Sequence, residues 1–268
     1  MDRYKGAPDA PKPTRVIDVG VPVRTFEVDS PSAVYISVHG GGWIAGSAEM
    51  DDVENAHRAS ACGVSVVSID YRLVPEVTWQ TVVDECTEVA KFVLSDERRE
   101  FGASKVIFGG TSAGATICVQ MLLRLRHEHL LDSVAGANLV YGSYDFGMTP
   151  SQRQWSDTLV LDPDYIKVTR PIIFPGTSEE DRRDGSISPL YADLTGLPAA
   201  LFSVGCLDPF LDDSLFMAAR WRAAGNRASV SVYPESPHGF ARFPTRMAAE
   251  LRSETDAFVR ECANGPSR

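Results

Sequence analysis

The order of its apolar segments constrains this chain more than any other feature. Residues 16–19 and 21–28 alternate apolar and polar side chains around Gly20, as a hairpin does. From there on, strand-like and helix-like stretches take turns. The runs at 33–38, 64–69, 106–108, 134–141, 199–204 and 229–233 contain no charged residue, which is the composition of strands covered on both faces. Between and after them, residues 51–62, 80–94, 113–129, 211–224 and 247–259 show helical spacing. In 113–129, Ile117, Met121 and Leu125 share one face and no charge occurs before Arg124, so the first half of that helix is expected to be buried. Its last turn gathers Arg124, Arg126, His127 and His129, where the helix dipole favours cations. Such alternation predicts an α/β fold with a doubly wound, mostly parallel sheet and helices on both faces. Sheets of that kind bind ligands beyond the carboxyl ends of their strands.

Residues 143–190 interrupt the alternation with a long stretch containing Pro150, Pro163, Pro171, Pro175 and Pro189. Long insertions in compact units are usually functional, and this one is expected to act as a cap. The rest reads as a single domain over 1–268, entered through a polar, proline-dotted arm at 1–14. With 26 basic and 36 acidic residues the net charge is −10, which opposes binding to a phosphate backbone, so no nucleic-acid partner is expected. No apolar run approaches the ~18 residues of a membrane span. Cys62, Cys86, Cys118, Cys206 and Cys262 are odd in number, dispersed and free of any CxxC pair. They read as small buried hydrophobes, without disulfides or a metal site, and suit a reducing cytoplasm.

Two glycine-rich segments follow strands, where a ligand site belongs. Gly110-Thr111-Ser112-Ala113-Gly114 ends one strand and opens the next helix. As a bare GxSxG pattern it is weak, but strand–turn–helix is the context a nucleophile elbow requires. His39-Gly40-Gly41-Gly42-Trp43 follows the strand at 33–38, and its glycines leave backbone N–H groups uncovered. The N–H groups of Gly41, Gly42 and Ala113 are the candidate donors to a developing oxyanion. A serine nucleophile needs a base and the base an orienting acid. His57, His127 and His129 belong to helices and read as solvated, and His39 reads as a buttress for its loop. His238, in Pro237-His238-Gly239-Phe240, follows the last strand and is the candidate base. Asp208 follows the strand at 199–204 and is the candidate acid, whereas Asp212 and Asp213 read as first-turn helix acids. Ser112, Asp208, His238 is the chain order of an α/β-hydrolase triad.

His39-Gly-Gly-Gly-Trp43, Tyr71-Arg-Leu-Val-Pro-Glu76, Gly110-Thr-Ser-Ala-Gly114, Leu207-Asp-Pro209 and His238-Gly-Phe240 together resemble, in order, the segments of the bacterial hormone-sensitive-lipase family of α/β-hydrolase carboxylesterases. The resemblance covers residues 33–245. It implies an α/β-hydrolase fold, cofactor-free hydrolysis of short-chain carboxylic esters, and a triad of Ser112, Asp208 and His238. Thr111 stands where many members carry Asp, and only 38 residues precede His39, so the cap looks reduced and residues 143–190 are left to supply the roof. The resemblance also allows a homodimer through the last strand and helix, with a partner chain completing the shortened cap. Trp43, Tyr141, Tyr144, Phe146, Trp155, Phe210 and Phe240 are the aromatic candidates for the substrate pocket. With no long apolar lid, a small ester is expected rather than a lipid. An aryl formamidase or an acyltransferase would use the same residues, and a non-catalytic ligand-binding homologue would use the fold alone.

Overall fold

The computed structural model describes residues 9–95, 100–156 and 159–265, so residues 1–8 of the expected N-terminal arm lie outside the described residues. Arg15–Asp18 (β1) and Pro22–Phe26 (β2) form the expected hairpin, with Arg15 opposite Thr25. Val34–Val38 (β3) leads through a short 3₁₀ turn at Ala48–Asp51 into Asp52–Cys62 (α1), which ends on the left-handed Gly63. Ser65–Ile69 (β4) is followed by Trp79–Leu94 (α2), whose first turn is capped by the Thr78 hydroxyl. Val106–Thr111 (β5), Ala113–His127 (α3) and Val134–Val140 (β6) complete the first half. Residues 143–190 contain two helices outside the expected alternation, Pro150–Gln154 (α4) and Pro163–Ile173 (α5). Ala200–Leu207 (β7), Leu211–Ala223 (α6), Ala228–Pro237 (β8) and Arg246–Asn264 (α7) close the chain.

The eight strands make one sheet in the order β1-β2-β4-β3-β5-β6-β7-β8, antiparallel at β1-β2 and β2-β4 and parallel elsewhere. Alternate side chains divide between two apolar layers, as the pleat requires. Val34, Ile36, Val38, Val106 and Phe108 point towards α2, α3 and α6, while Tyr35, Val66 and Ile107 point towards α1 and α7. Both layers bury their partners, which explains the missing charges in the central strands.

Two strands run longer than their apolar cores. β5 continues through Gly109 and Gly110 because Tyr35 lies over Gly109, where a Cβ would collide with the phenol ring. β8 continues to Pro237 past an irregularity in its pairing with β7. That irregular end sets Leu207 opposite Pro237, so the next residues along each strand, Asp208 and His238, emerge side by side. β3, β5, β7 and β8 all point the same way, so the loops after them gather along one edge of the sheet.

Candidate active site

Ser112 stands at the turn between β5 and α3 with φ 53° and ψ −119°, a conformation that L-residues rarely adopt. The flanking glycines make this turn possible. A Cβ on Gly110 would lie 2.3 Å from the Gly114 carbonyl carbon, and one on Gly114 would lie 2.0 Å from the Val38 carbonyl oxygen. The turn is pinned by the Ser112 N–H, which donates to Val140 O at 2.8 Å.

The structure brings the three widely separated residues into one line. Ser112 Oγ lies 2.9 Å from His238 Nε2, and His238 Nδ1 donates to Asp208 Oδ2 at 2.9 Å. The other carboxylate oxygen of Asp208 accepts the Phe210 N–H at 2.8 Å, so one residue both turns the chain into α6 and faces the imidazole. Asp208 and His238 are buried and Ser112 is half-buried. Tyr141 and Phe210 meet the His238 ring edge-on, with centroids 4.9 and 5.1 Å away, and limit its rotation.

The loop after β3 borders the serine. Gly41 (φ 125°) and Gly42 (φ 61°) have backbone angles that suit glycine, and a Cβ on Gly41 would lie 2.0 Å from Ala45 O. Among the described residues, neither glycine's N–H donates to a backbone carbonyl. Ala113 is the first residue of α3, so its N–H has no intrahelical acceptor either. His39 is fully buried, stacked on Tyr71 at 4.1 Å, and its Nδ1 donates to Gly40 O at 2.7 Å. Burial pushes its pKa down, so it is a neutral brace for the loop. The Tyr71 hydroxyl donates to His39 O at 3.0 Å, which gives the Tyr71-to-Glu76 segment a mechanical role.

A cavity of ≈ 690 Å³ opens over Ser112 and His238. Trp43, Tyr141 and Phe210 line it, as expected from the sequence. Tyr144, Phe146 and Phe240 do not. Tyr144 is buried against Phe202, Phe146 lies in a cluster with Trp79 and Phe174, and Phe240 packs on Tyr233. Trp155 also lies off the lining, but its indole N–H donates to Leu161 O at 2.8 Å and so fixes a residue that is on it. Much of the remaining wall comes from α5, through Tyr165, Ile166, Thr169 and Arg170. Asp162-Pro163, an N-cap and first-turn proline ahead of residues spaced at helical intervals, is the sequence signal that announces this helix.

Three other sequence expectations change. Asp213 is a buried anchor rather than a solvated helix acid, accepting from Tyr144 N, Asp145 N, Thr149 Oγ1 and Gln152 Nε2 at 2.6–2.9 Å. His57 is bonded to Asp256 at 2.8 Å, whereas His127 and His129 are exposed as expected. Cys206 is exposed and accepts the Glu235 N–H, in contrast to the four buried cysteines. Among the described residues no helix is long and apolar enough to cross a membrane.

Known proteins resemble this chain in sequence and in fold. The α/β-hydrolase-fold family model matches residues 35–242. The chain is similar to carboxylesterase NlhH of Mycobacterium tuberculosis, 31% identical over 237 residues that make up 83% of this chain and 72% of that protein. It is 27% identical to the acetyl esterase of Salmonella paratyphi B over 88% of this chain and 73% of that protein. Among solved structures, a hormone-sensitive lipase from a metagenome library superposes with a TM-score of 0.85 at 27% identity, covering 98% of this chain and 87% of that one. By sequence and by fold, the chain belongs to the α/β-hydrolase family, within its hormone-sensitive-lipase-type carboxylesterases.

Proposed function

We propose that this carboxylic ester hydrolase cleaves short-chain esters in two steps, through an acyl-enzyme on Ser112. The hydrogen-bonded line from Ser112 Oγ through His238 to Asp208 carries the reading. His238 Nε2 takes the serine proton as Oγ bonds to the ester carbonyl carbon. Asp208 holds the ring with its proton on Nδ1 and stabilises the imidazolium that forms. The carbonyl oxygen, now negative, faces the N–H groups of Gly41, Gly42 and Ala113, and the α3 N-terminus favours that charge. The carbon–oxygen bond to the alcohol breaks as the imidazolium returns its proton to the leaving oxygen. Water, deprotonated by His238, then releases the acid and restores Ser112.

Residues 143–190 serve as the cap in this reading, with α5 as the roof of the cleft. The preference for short acyl chains rests on a cleft without a long apolar lid and on the buried cation Arg170 in its wall, which a long alkyl chain would cover without pairing. The similarity to an acetyl esterase supports it. A homodimer through the edge strand β8 and α7, in a reducing cytoplasm, completes the proposal, and light scattering tests the assembly.

The experiment is hydrolysis of p-nitrophenyl esters from acetate to dodecanoate, beside Ser112→Ala. Turnover that peaks at short chains and vanishes in the variant is the expected result. A peak at long chains would refute the chain-length reading, and undiminished turnover by Ser112→Ala would refute the mechanism.

A further inference from the structure

The cavity wall contains two arginines, and they are satisfied very differently. Arg242 has a carboxylate, Asp51, at 2.9 Å. Arg170 is only 3% exposed, and no carboxylate contacts its guanidinium among the described residues. Its Nη2 donates to Ser143 Oγ at 2.9 Å and more weakly to Gln152 Oε1 at 3.4 Å. Its Nε is buried without a partner, and no hydrogen bond from Nη1 occurs among the described residues. The remaining contacts are π faces, Phe146 at 4.5 Å and Trp43 at 5.7 Å.

The neighbouring acids are already engaged. Asp213 spends both oxygens on four donors and reaches Arg170 only through Gln152, whose amide N–H donates to it. Asp145 accepts from Gly147 N–H and from the Tyr191 hydroxyl. A buried cation with idle donors is costly unless something completes it. Burial pushes the Arg170 pKa down to about 10, so the group remains a cation at neutral pH. The group also lies close behind the nucleophile. Ser143 O accepts from Thr116 Oγ1 at 2.7 Å, and Thr116 is one helical turn beyond Ser112.

We propose that Arg170 is a specificity-determining residue that receives a carboxylate of the substrate, so that the preferred substrates are short esters bearing a free acid group. The acid group would take the unused N–H donors of Nη1, and the acyl or alcohol part of the ester would carry it, depending on which side of the scissile bond faces α5. This inference deepens the ester-hydrolase reading and rests on it. It also explains how a chain of net charge −10 could favour an anion, since among the described residues that line the cavity the two guanidinium groups are the permanent charges.

Two pairs matched in carbon skeleton test it, followed by proton release in a pH-stat. Monoethyl succinate against ethyl butyrate places the carboxylate on the acyl side, and 3-acetoxypropanoate against propyl acetate places it on the alcohol side. In one of the pairs the acid member should have a kcat/KM roughly ten-fold above its neutral counterpart, carried by KM. Arg170→Gln should abolish that ratio whatever happens to the absolute rates, and Arg170→Lys should restore part of it. A merely structural role would lower both members of a pair alike and leave the ratio intact, which would overturn the proposal. Preference for the neutral member in both pairs would overturn it as well. Calorimetric binding of the same compounds to Ser112→Ala protein carries the comparison without turnover. Failure to hydrolyse any ester would therefore count against the acyl-enzyme, while the binding ratio would still decide the role of Arg170.

Discussion

Replacing Gly114 by alanine tests how the nucleophile turn and the oxyanion loop are held together. The new Cβ would stand 2.0 Å from Val38 O, 2.6 Å from Val38 C and 2.7 Å from His39 O. A carbon–oxygen contact shorter than 3.0 Å is not sustained, so α3 and the end of β3 must part by at least about 1 Å. Neither side yields easily, because β3 is paired on both edges and the first half of α3 is buried. Overpacking of this kind costs about 1–3 kcal/mol. At ~2.1 cal/mol/K of unfolding entropy per residue over 268 residues, Tm should fall by about 2–5 °C. The loss of activity should be far larger than that shift suggests. Gly41 and Gly42 ride on the β3 side of the gap and Ser112 and Ala113 on the α3 side, so a 1 Å separation detunes the oxyanion donors and costs on the order of 10² in kcat. Gly63→Ala is the control. Unlike Gly114 it has a left-handed φ, at 64°, and nothing lies within 4 Å of the added carbon. It should lose about 1 kcal/mol and no activity. Calorimetric melting with kcat at 25 °C reads both quantities. A Gly114→Ala protein with unchanged Tm and kcat would refute the packing reasoning.

Three further outcomes follow from particular contacts. Asp208→Asn should lower kcat by about 10⁴ with little change in KM, because the amide no longer selects the Nδ1–H tautomer of His238; steady-state kinetics on p-nitrophenyl acetate checks this. Burial pushes the Asp213 carboxyl up to about 6, above its ordinary 3.8, despite four donors that favour the anion. The folded chain therefore binds more protons there than the unfolded chain between pH 4 and 6, and this group's contribution to stability declines by about 3 kcal/mol as pH rises through that window, then levels off. Urea unfolding of wild type and Asp213→Asn at pH 4, 5, 6 and 7 should show a stability difference that changes in that window and is flat above it. Asp256 joins α7 to α1 by accepting from Arg58 and His57. Asp256→Ala should destabilise by about 1–3 kcal/mol in denaturant titration, since it strips one of two carboxylates from a buried guanidinium that keeps Glu54, while kcat of the folded protein stays at wild type.

The central strands were legible because burial on both faces removes charge, and the helices between them because their apolar residues recur at helical spacing. β5 extended past Phe108 because glycine, which reads as a turn in sequence, serves there to admit Tyr35. Ser112, Asp208 and His238 could be singled out because each follows a strand whose end lies on the same edge of the sheet. The pocket wall was less legible. An aromatic side chain reads the same whether it fills a core or lines a cleft, so Phe146 and Tyr144 could not be told from Trp43 and Phe210 without the packing. The role of Asp213 is hidden in the sequence for a related reason. A first-turn acid is ordinarily explained by the helix dipole, and only the return of residues 144–152 over α6 turns it into a buried acceptor.

The acyl-enzyme itself gives the most direct test. Wild-type protein mixed with p-nitrophenyl butyrate and quenched in acid within the first turnover should show a nitrophenol burst. Peptide mass spectrometry should find one butyryl group on the peptide containing Ser112, lost on further incubation and absent from Ser112→Ala. A burst-free reaction with no adduct, or a butyryl group on another residue that turns over at the steady-state rate, would contradict the assignment of Ser112 as nucleophile.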